Sequence, residues 1–136
     1  MAKHVLLNNI SHKDLKIITR HAAAYGDNVG STLTFPIEFG DVHREYAILF
    51  QKHPETGKFQ SVVLLGLKSD ENLFLGENGN WQANYIPAVI ERGPFLIGFQ
   101  DQSRDGGDER APVIHVDMES PRVNLTEGKE VFLDHG

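Results

Sequence analysis

The distribution of apolar residues along the chain is clearest in its middle. Residues 46–50 (Tyr-Ala-Ile-Leu-Phe) and 59–67 (Phe-Gln-Ser-Val-Val-Leu-Leu-Gly-Leu) are short, nearly continuous apolar runs. Between them, residues 52–58 (Lys-His-Pro-Glu-Thr-Gly-Lys) carry turn chemistry: proline presets φ and glycine accepts positive φ. The pattern predicts a β-hairpin with largely buried strands. A second hairpin is predicted where Asn78-Gly79, the pair favoured by a type I′ turn, separates Leu73-Phe74-Leu75 from the segment beginning at Trp81. A short helix follows. Pro87 suits a first helical turn, Ile86, Val89 and Ile90 fall on one face, and Gly93-Pro94 stop it. Strands are then expected at residues 95–99 and 113–118, the second also buried, around a polar, glycine-rich loop at 102–110.

The ends of the chain are less decided. Ser11 and Asp14, with Leu15, Ile18 and Ala22 ahead of Gly26, read as a capped helix. Leu15-Lys16-Ile17-Ile18-Thr19 reads equally as a strand, which is the reading preferred here. From Glu119 to Gly136 the only apolar anchors are Val123, Leu125, Val131, Phe132 and Leu133. The sum is an α+β fold, mostly antiparallel β with one or two short helices, in a single domain over residues 1–136. Neighbours in sequence are expected to pair.

Composition narrows the function classes. The net charge of -6, with scattered lysines and arginines, argues against a nucleic-acid footprint. The absence of cysteine removes disulfides, thiolate chemistry and cysteine-ligated metals. The first residues hold no apolar core of a signal peptide, and no apolar run is long enough to span a membrane. A cytoplasmic protein with neither nucleic-acid nor membrane partners is expected.

Several constellations carry possible chemistry. His115-Val116-Asp117 places an imidazole and a carboxylate on one strand face. That is half of a 2-His-1-carboxylate iron site, with His43, His53 or His135 as the second histidine. The bland alternative is a strand histidine with Asp117 capping a turn near the strand end, and it is preferred: no metal or other cofactor is expected. His43-Arg44-Glu45-Tyr46 concentrates acid–base groups but reads as a solvated connector. Asp101, Ser103 and Asp105-Gly106 imitate the start of a calcium loop, but the twelfth position is Pro112, so an EF-hand is rejected. Asn124-Leu125-Thr126 matches a glycosylation acceptor, without meaning in a chain lacking a secretory route. Trp81 and Tyr85 are the candidate binding residues, against the alternative that Trp81 caps the core.

From Pro36 onward the chain resembles the SapC family. The resemblance is carried by Glu38-Phe39, Tyr46-Ala47-Ile48-Leu49-Phe50, Leu64-Leu65-Gly66-Leu67 and Glu71-Asn72-Leu73-Phe74. It continues in Gly79-Asn80-Trp81-Gln82-Ala83-Asn84-Tyr85-Ile86-Pro87, Arg92-Gly93-Pro94-Phe95, and Glu127-Gly128 with Phe132 and Gly136. It implies a bacterial protein matching the family's N-terminal part without the helical C-terminal part, and it hands over no catalytic residue set. The expected function is a non-enzymatic binding or accessory module for a protein or small-molecule partner. The alternatives are a metal-dependent, oxygenase-like enzyme using His115 and Asp117, and a surface-layer-associated structural protein, suggested by the family name alone.

Overall fold

A computed structural model describes residues 2–101 and 110–133. Its strands are antiparallel and lie in three small three-stranded sheets, with short helical turns between them, so the fold is α+β and β-rich. The chain forms two compact units. No helix among the described residues is long and apolar enough to cross a membrane.

The first unit comprises residues 1–19 and 93–136. Strands β1 (His4–Leu6), β7 (Arg110–Asp117) and β6 (Phe95–Asp101) form one sheet in the order β1-β7-β6. A second sheet sets β2 (Lys16–Ile17) between β8 (Val123–Asn124) and β9 (Lys129–Glu130). Leu15, Ile17 and Val116 are the buried centre, with Val5, Phe95, Met118 and Val131 packed around it. Of the two readings of residues 11–26, the strand is realised, but only over Lys16–Ile17. The polar tail supplies both of its partners, so the ends of the chain pair with each other rather than with their sequence neighbours.

The second unit, residues 20–92, holds the sheet β3-β5-β4. Strands β4 (Ile48–Lys52) and β5 (Phe59–Leu64) form the expected hairpin, and β3 (Ser31–Leu33) adds to β5. Helix α1 (Phe39–Val42) supplies Val42 to a core with Tyr46, Val63 and Leu65. The hairpin is less buried than its apolar runs suggest: Phe50 and Phe59 are about 70% exposed. The core ends at the Val63–Ile48 pair, and the two strands run on past it toward their turn.

Two further expectations need correction. Strand β7 is not a buried strand, since only Val116 is fully enclosed and Ile114 is half exposed. The second hairpin is reduced to one bridge, Leu75 to Trp81. Its turn is not type I′, because Asn78 keeps negative φ while Gly79 sits at +74°. The Gly79 N–H donates to the Gly76 carbonyl and the Gly76 N–H to the Asn80 carbonyl. This is a three-residue loop closed by a left-handed glycine. Downstream, Pro87 caps α2 (Ala88–Glu91), and Gly93 at φ +57° ends it, as the sequence predicts.

Close backbone approach fixes two glycines. The Gly30 carbonyl accepts from the N–H groups of Leu65 and Gly66. A Cβ on Gly30 would lie 2.0 Å from the Lys68 carbonyl oxygen, and one on Gly66 would lie 2.2 Å from that of Glu71. Gly66→Ala is therefore expected to destabilise the protein by about 3 kcal/mol, the upper range for overpacking. Gly40→Ala, in helix α1 with nothing near the added methyl, should be neutral or stabilising by up to ~1 kcal/mol. Urea denaturation midpoints of the two variants test the contrast.

Candidate functional site

The densest polar constellation surrounds the carboxylate of Glu38, which is only 4% exposed. Pro36 starts a short 3-10 turn, and Glu38 at its end points inward. The Thr34 hydroxyl donates to Glu38 Oε1 at 2.7 Å. The Tyr85 hydroxyl and the Ala88 N–H donate to Oε2 at 2.8 and 2.9 Å. Burial pushes the carboxyl's pKa up, but the bonds from Thr34, Ala88, Tyr85 and Phe35 outweigh it and hold the value below the ordinary 4.5. The same bond to Glu38, with burial added, pushes the Tyr85 phenol up to about 12. At neutral pH the pair is a carboxylate and a neutral phenol.

A second carboxylate acts on the same segment. Glu45 accepts from the Asn84 N–H through both oxygens (3.1 and 2.9 Å), from the Asn84 side-chain amide (3.1 Å) and from the Tyr85 N–H (3.0 Å). The Asn84 and Tyr85 donors depress its pKa. Residues 43–46 are thus more than a solvated connector. Glu45 anchors the stretch leading to Pro87, and His43, at the end of α1, has Nδ1 2.9 Å from the carbonyl of Phe39, the helix's first residue.

Trp81 and Tyr85 are joined through Tyr46. The Trp81 indole N–H donates to the Tyr46 hydroxyl at 2.6 Å, and that hydroxyl donates to the Tyr85 carbonyl. Burial raises the Tyr46 phenol, and the nearby Glu45 charge adds to the effect. Trp81 stacks on Phe74 and meets His21 edge-on, packed against the core. Tyr85 lies beside an open cleft of about 390 Å³ lined with Asp41, Arg44, Glu45 and Asn84. The Arg44 guanidinium is largely exposed and 3.9 Å from Asp41.

His115 and Asp117 sit in the first unit, near the end of β7. Asp117 accepts from the Lys3 and Glu119 N–H groups at 2.8 and 3.1 Å, so its carboxylate ties strand ends together. His115 Nδ1 is buried and finds no hydrogen-bond partner among the described residues, and its ring lies over Gly98. His43 and His53 belong to the other unit. The His53 ring accepts from the Glu55 and Thr56 N–H groups of its own turn. His135 and most of the loop with Ser103 and Asp105 lie outside the described residues. Among the described residues no group of three or more His, Asp or Glu side chains is placed to hold a metal ion. Asn124 uses its side-chain oxygen to accept from Thr126 and Glu127 in a local turn.

Sequence reasoning overlooked Glu38 and Glu45 as structural centres. Glu45 bonds mainly to main-chain groups about 40 positions away, and two of the three donors to Glu38 lie 47 and 50 positions away, a relation without local periodicity. The available signal was that Glu38-Phe39 and the block 79–87 both carry the family resemblance.

A family model described as SapC matches residues 7–136, so the similarity reaches well upstream of Pro36. No curated protein matches, and no solved structure does.

The Glu38–Tyr85 pair predicts opposite pH limbs. A depressed carboxyl contributes stability above its ordinary pKa of 4.5 that is lost as pH falls below it. A raised phenol contributes stability below its ordinary 10 that is lost as pH climbs toward 12. Glu38→Gln should return the Tyr85 titration toward its ordinary value and cost roughly 1–3 kcal/mol. Ultraviolet phenolate titration and denaturation against pH measure both. An unchanged Tyr85 transition would contradict the pairing.

Proposed function

We propose that this chain, which belongs to the SapC family, is a non-enzymatic binding module that takes a peptide segment of a partner protein in the cleft beside Tyr85. One observation carries the reading. The acid–base groups that hold the Tyr85 segment are already committed to the scaffold. Glu38 and Glu45 are carboxylates saturated with donors, and Tyr46 and Tyr85 are kept neutral. Carboxylates held below their usual pKa are weak bases, and phenols held above theirs are weak nucleophiles at neutral pH. Recognition needs neither property. It needs a preformed concave surface with an aromatic wall and a few polar groups whose orientation is fixed.

The wall here is Tyr85, and the fixed backbone is the Asn84–Tyr85 stretch gripped by Glu45. Two charges remain to meet a ligand, the exposed Asp41 carboxylate and the Arg44 guanidinium, whose mutual contact is long. An exposed pair of that kind contributes little to stability and is open to exchange. A peptide presenting a basic and an acidic side chain close together matches it, with main-chain groups facing Asn84.

Titration of the protein with short synthetic peptides of defined charge, followed by backbone-amide NMR, tests this reading. Peptides with adjacent basic and acidic residues should shift the Asn84 and Tyr85 amides selectively. The Asp41→Asn/Arg44→Gln double variant should weaken binding at least about tenfold, or ~1.4 kcal/mol, with its melting midpoint unchanged. Equal, diffuse shifts from every peptide class would contradict it.

A further inference from the structure

In the first unit the sheet β1-β7-β6 buries one face only part of the way along. Residues that face each other across an antiparallel pair lie on one side of the sheet, and alternate residues share that side. Val5, Val116 and Phe95 are matched across the three strands and pack on the core. The next matched pairs on that face are Ile97 with Ile114 and Phe99 with Pro112. They lie beyond the core, with Ile97 70%, Phe99 69% and Ile114 53% exposed. On the opposite face His115 lies over Gly98.

The two flanks of this ribbon differ. The Leu7 N–H donates to the Ile114 carbonyl, so Ile114 and its alternates Pro112 and Val116 direct their main-chain groups toward the β1 side. Strand β1 ends at Leu6, and the position beyond it on β7 is Pro112, which has no N–H. That flank is blunted. Among the described residues the β6 flank carries no such guard. The Asp117 N–H donates to the Pro94 carbonyl, which fixes the alternation so that Phe95, Ile97, Phe99 and Asp101 turn their N–H and C=O groups to the free side. Strand β6 is an edge strand of seven residues with neither proline nor lysine. An apolar edge of that length without such guards is a template for another strand.

We infer that β6 pairs antiparallel with β6 of a second copy of this chain, about a two-fold axis at Gly98. Around that axis Ile97 stands opposite the second copy's Phe99, and Phe95 opposite its Asp101. All four positions have outward main-chain groups, so the register satisfies the whole edge twice over. It also joins the Ile97, Phe99 and Ile114 surfaces of the two copies into one apolar strip. Such self-complementarity is what an isologous interface requires, and it singles out a second copy from other occupants. With bulky side chains contributing 150–250 Å² when fully covered, the strip and strand together bury on the order of 1,000 Å² in total. That lies at the low end of specific interfaces, so the dimer should dissociate on dilution.

Sedimentation velocity of the full chain from about 1 μM to about 1 mM tests the inference. A concentration-dependent dimer is expected. Ile97→Lys should weaken it at least tenfold, with an unchanged far-ultraviolet circular dichroism spectrum and melting midpoint. Leu73→Lys, exposed in the second unit, should leave it intact. The Ile97→Cys/Phe99→Cys double variant should form an intermolecular disulfide on mild oxidation, because hydrogen-bonded partners have Cα atoms about 5.5 Å apart, within disulfide reach. A monomer throughout the range, a dimer indifferent to Ile97→Lys, or failure of the cysteines to cross-link would each overturn it.

Discussion

A carboxylate withdrawn from water must be supplied with donors, and much of the second unit is arranged to do so at Glu38. Its side chain reaches from the turn after β3 to the Tyr85 hydroxyl and to the N–H that opens helix α2. Thr34, which supplies the remaining side-chain bond, exchanges hydrogen bonds with Ser61 of β5. One buried charge thereby connects the sheet, the 3-10 turn and the segment leading into α2. Removing it would leave a threonine, a phenol and a main-chain N–H without their acceptor, and the penalty falls on the unpaired donors as much as on the lost bonds.

The same segment is held a second time by Glu45, and again by the relay from Trp81 through Tyr46 to the Tyr85 carbonyl. Residues 81–88 contain little regular structure yet have few ways to move. Their order comes from side chains that satisfy main-chain groups in place of a ladder. This is a means of presenting a rigid, irregular surface, and the cleft beside Tyr85 is where that surface is concave. The candidate binding residues differ accordingly. Trp81 spends its indole N–H and most of its faces on the core, whereas Tyr85 anchors through its hydroxyl beside the cleft.

The fold was legible where it is local. The β4–β5 hairpin is encoded by two apolar runs around a proline–glycine turn, and α2 by Pro87 and Gly93, features lying within a few residues of one another. Burial was misjudged along β4 and β7, because an apolar run does not reveal how far the opposing layer extends. Phe50, Phe59 and Ile114 lie past that limit. The two-residue strands β2, β8 and β9 are too short for any period to register. Their pairing depends on a chain reversal between the two ends, which pattern cannot report. Glu38 and Glu45 looked like ordinary surface acids because their partners are distant in sequence. At Asn78-Gly79 the dipeptide marked the turn correctly but not its type, since the loop takes in Glu77 as well.

The central claim is that Glu38 and Tyr85 act as one unit rather than as separate contacts. A double-mutant cycle of Glu38→Gln, Tyr85→Phe and their combination, read by urea denaturation at neutral pH, measures that directly. A coupling free energy of at least about 1 kcal/mol is expected, because Glu38→Gln removes the charge from the acceptor of the shared bond and Tyr85→Phe removes its donor. Losses that add to within ~0.3 kcal/mol would mean that the two groups stabilise the fold independently, and would contradict the claim.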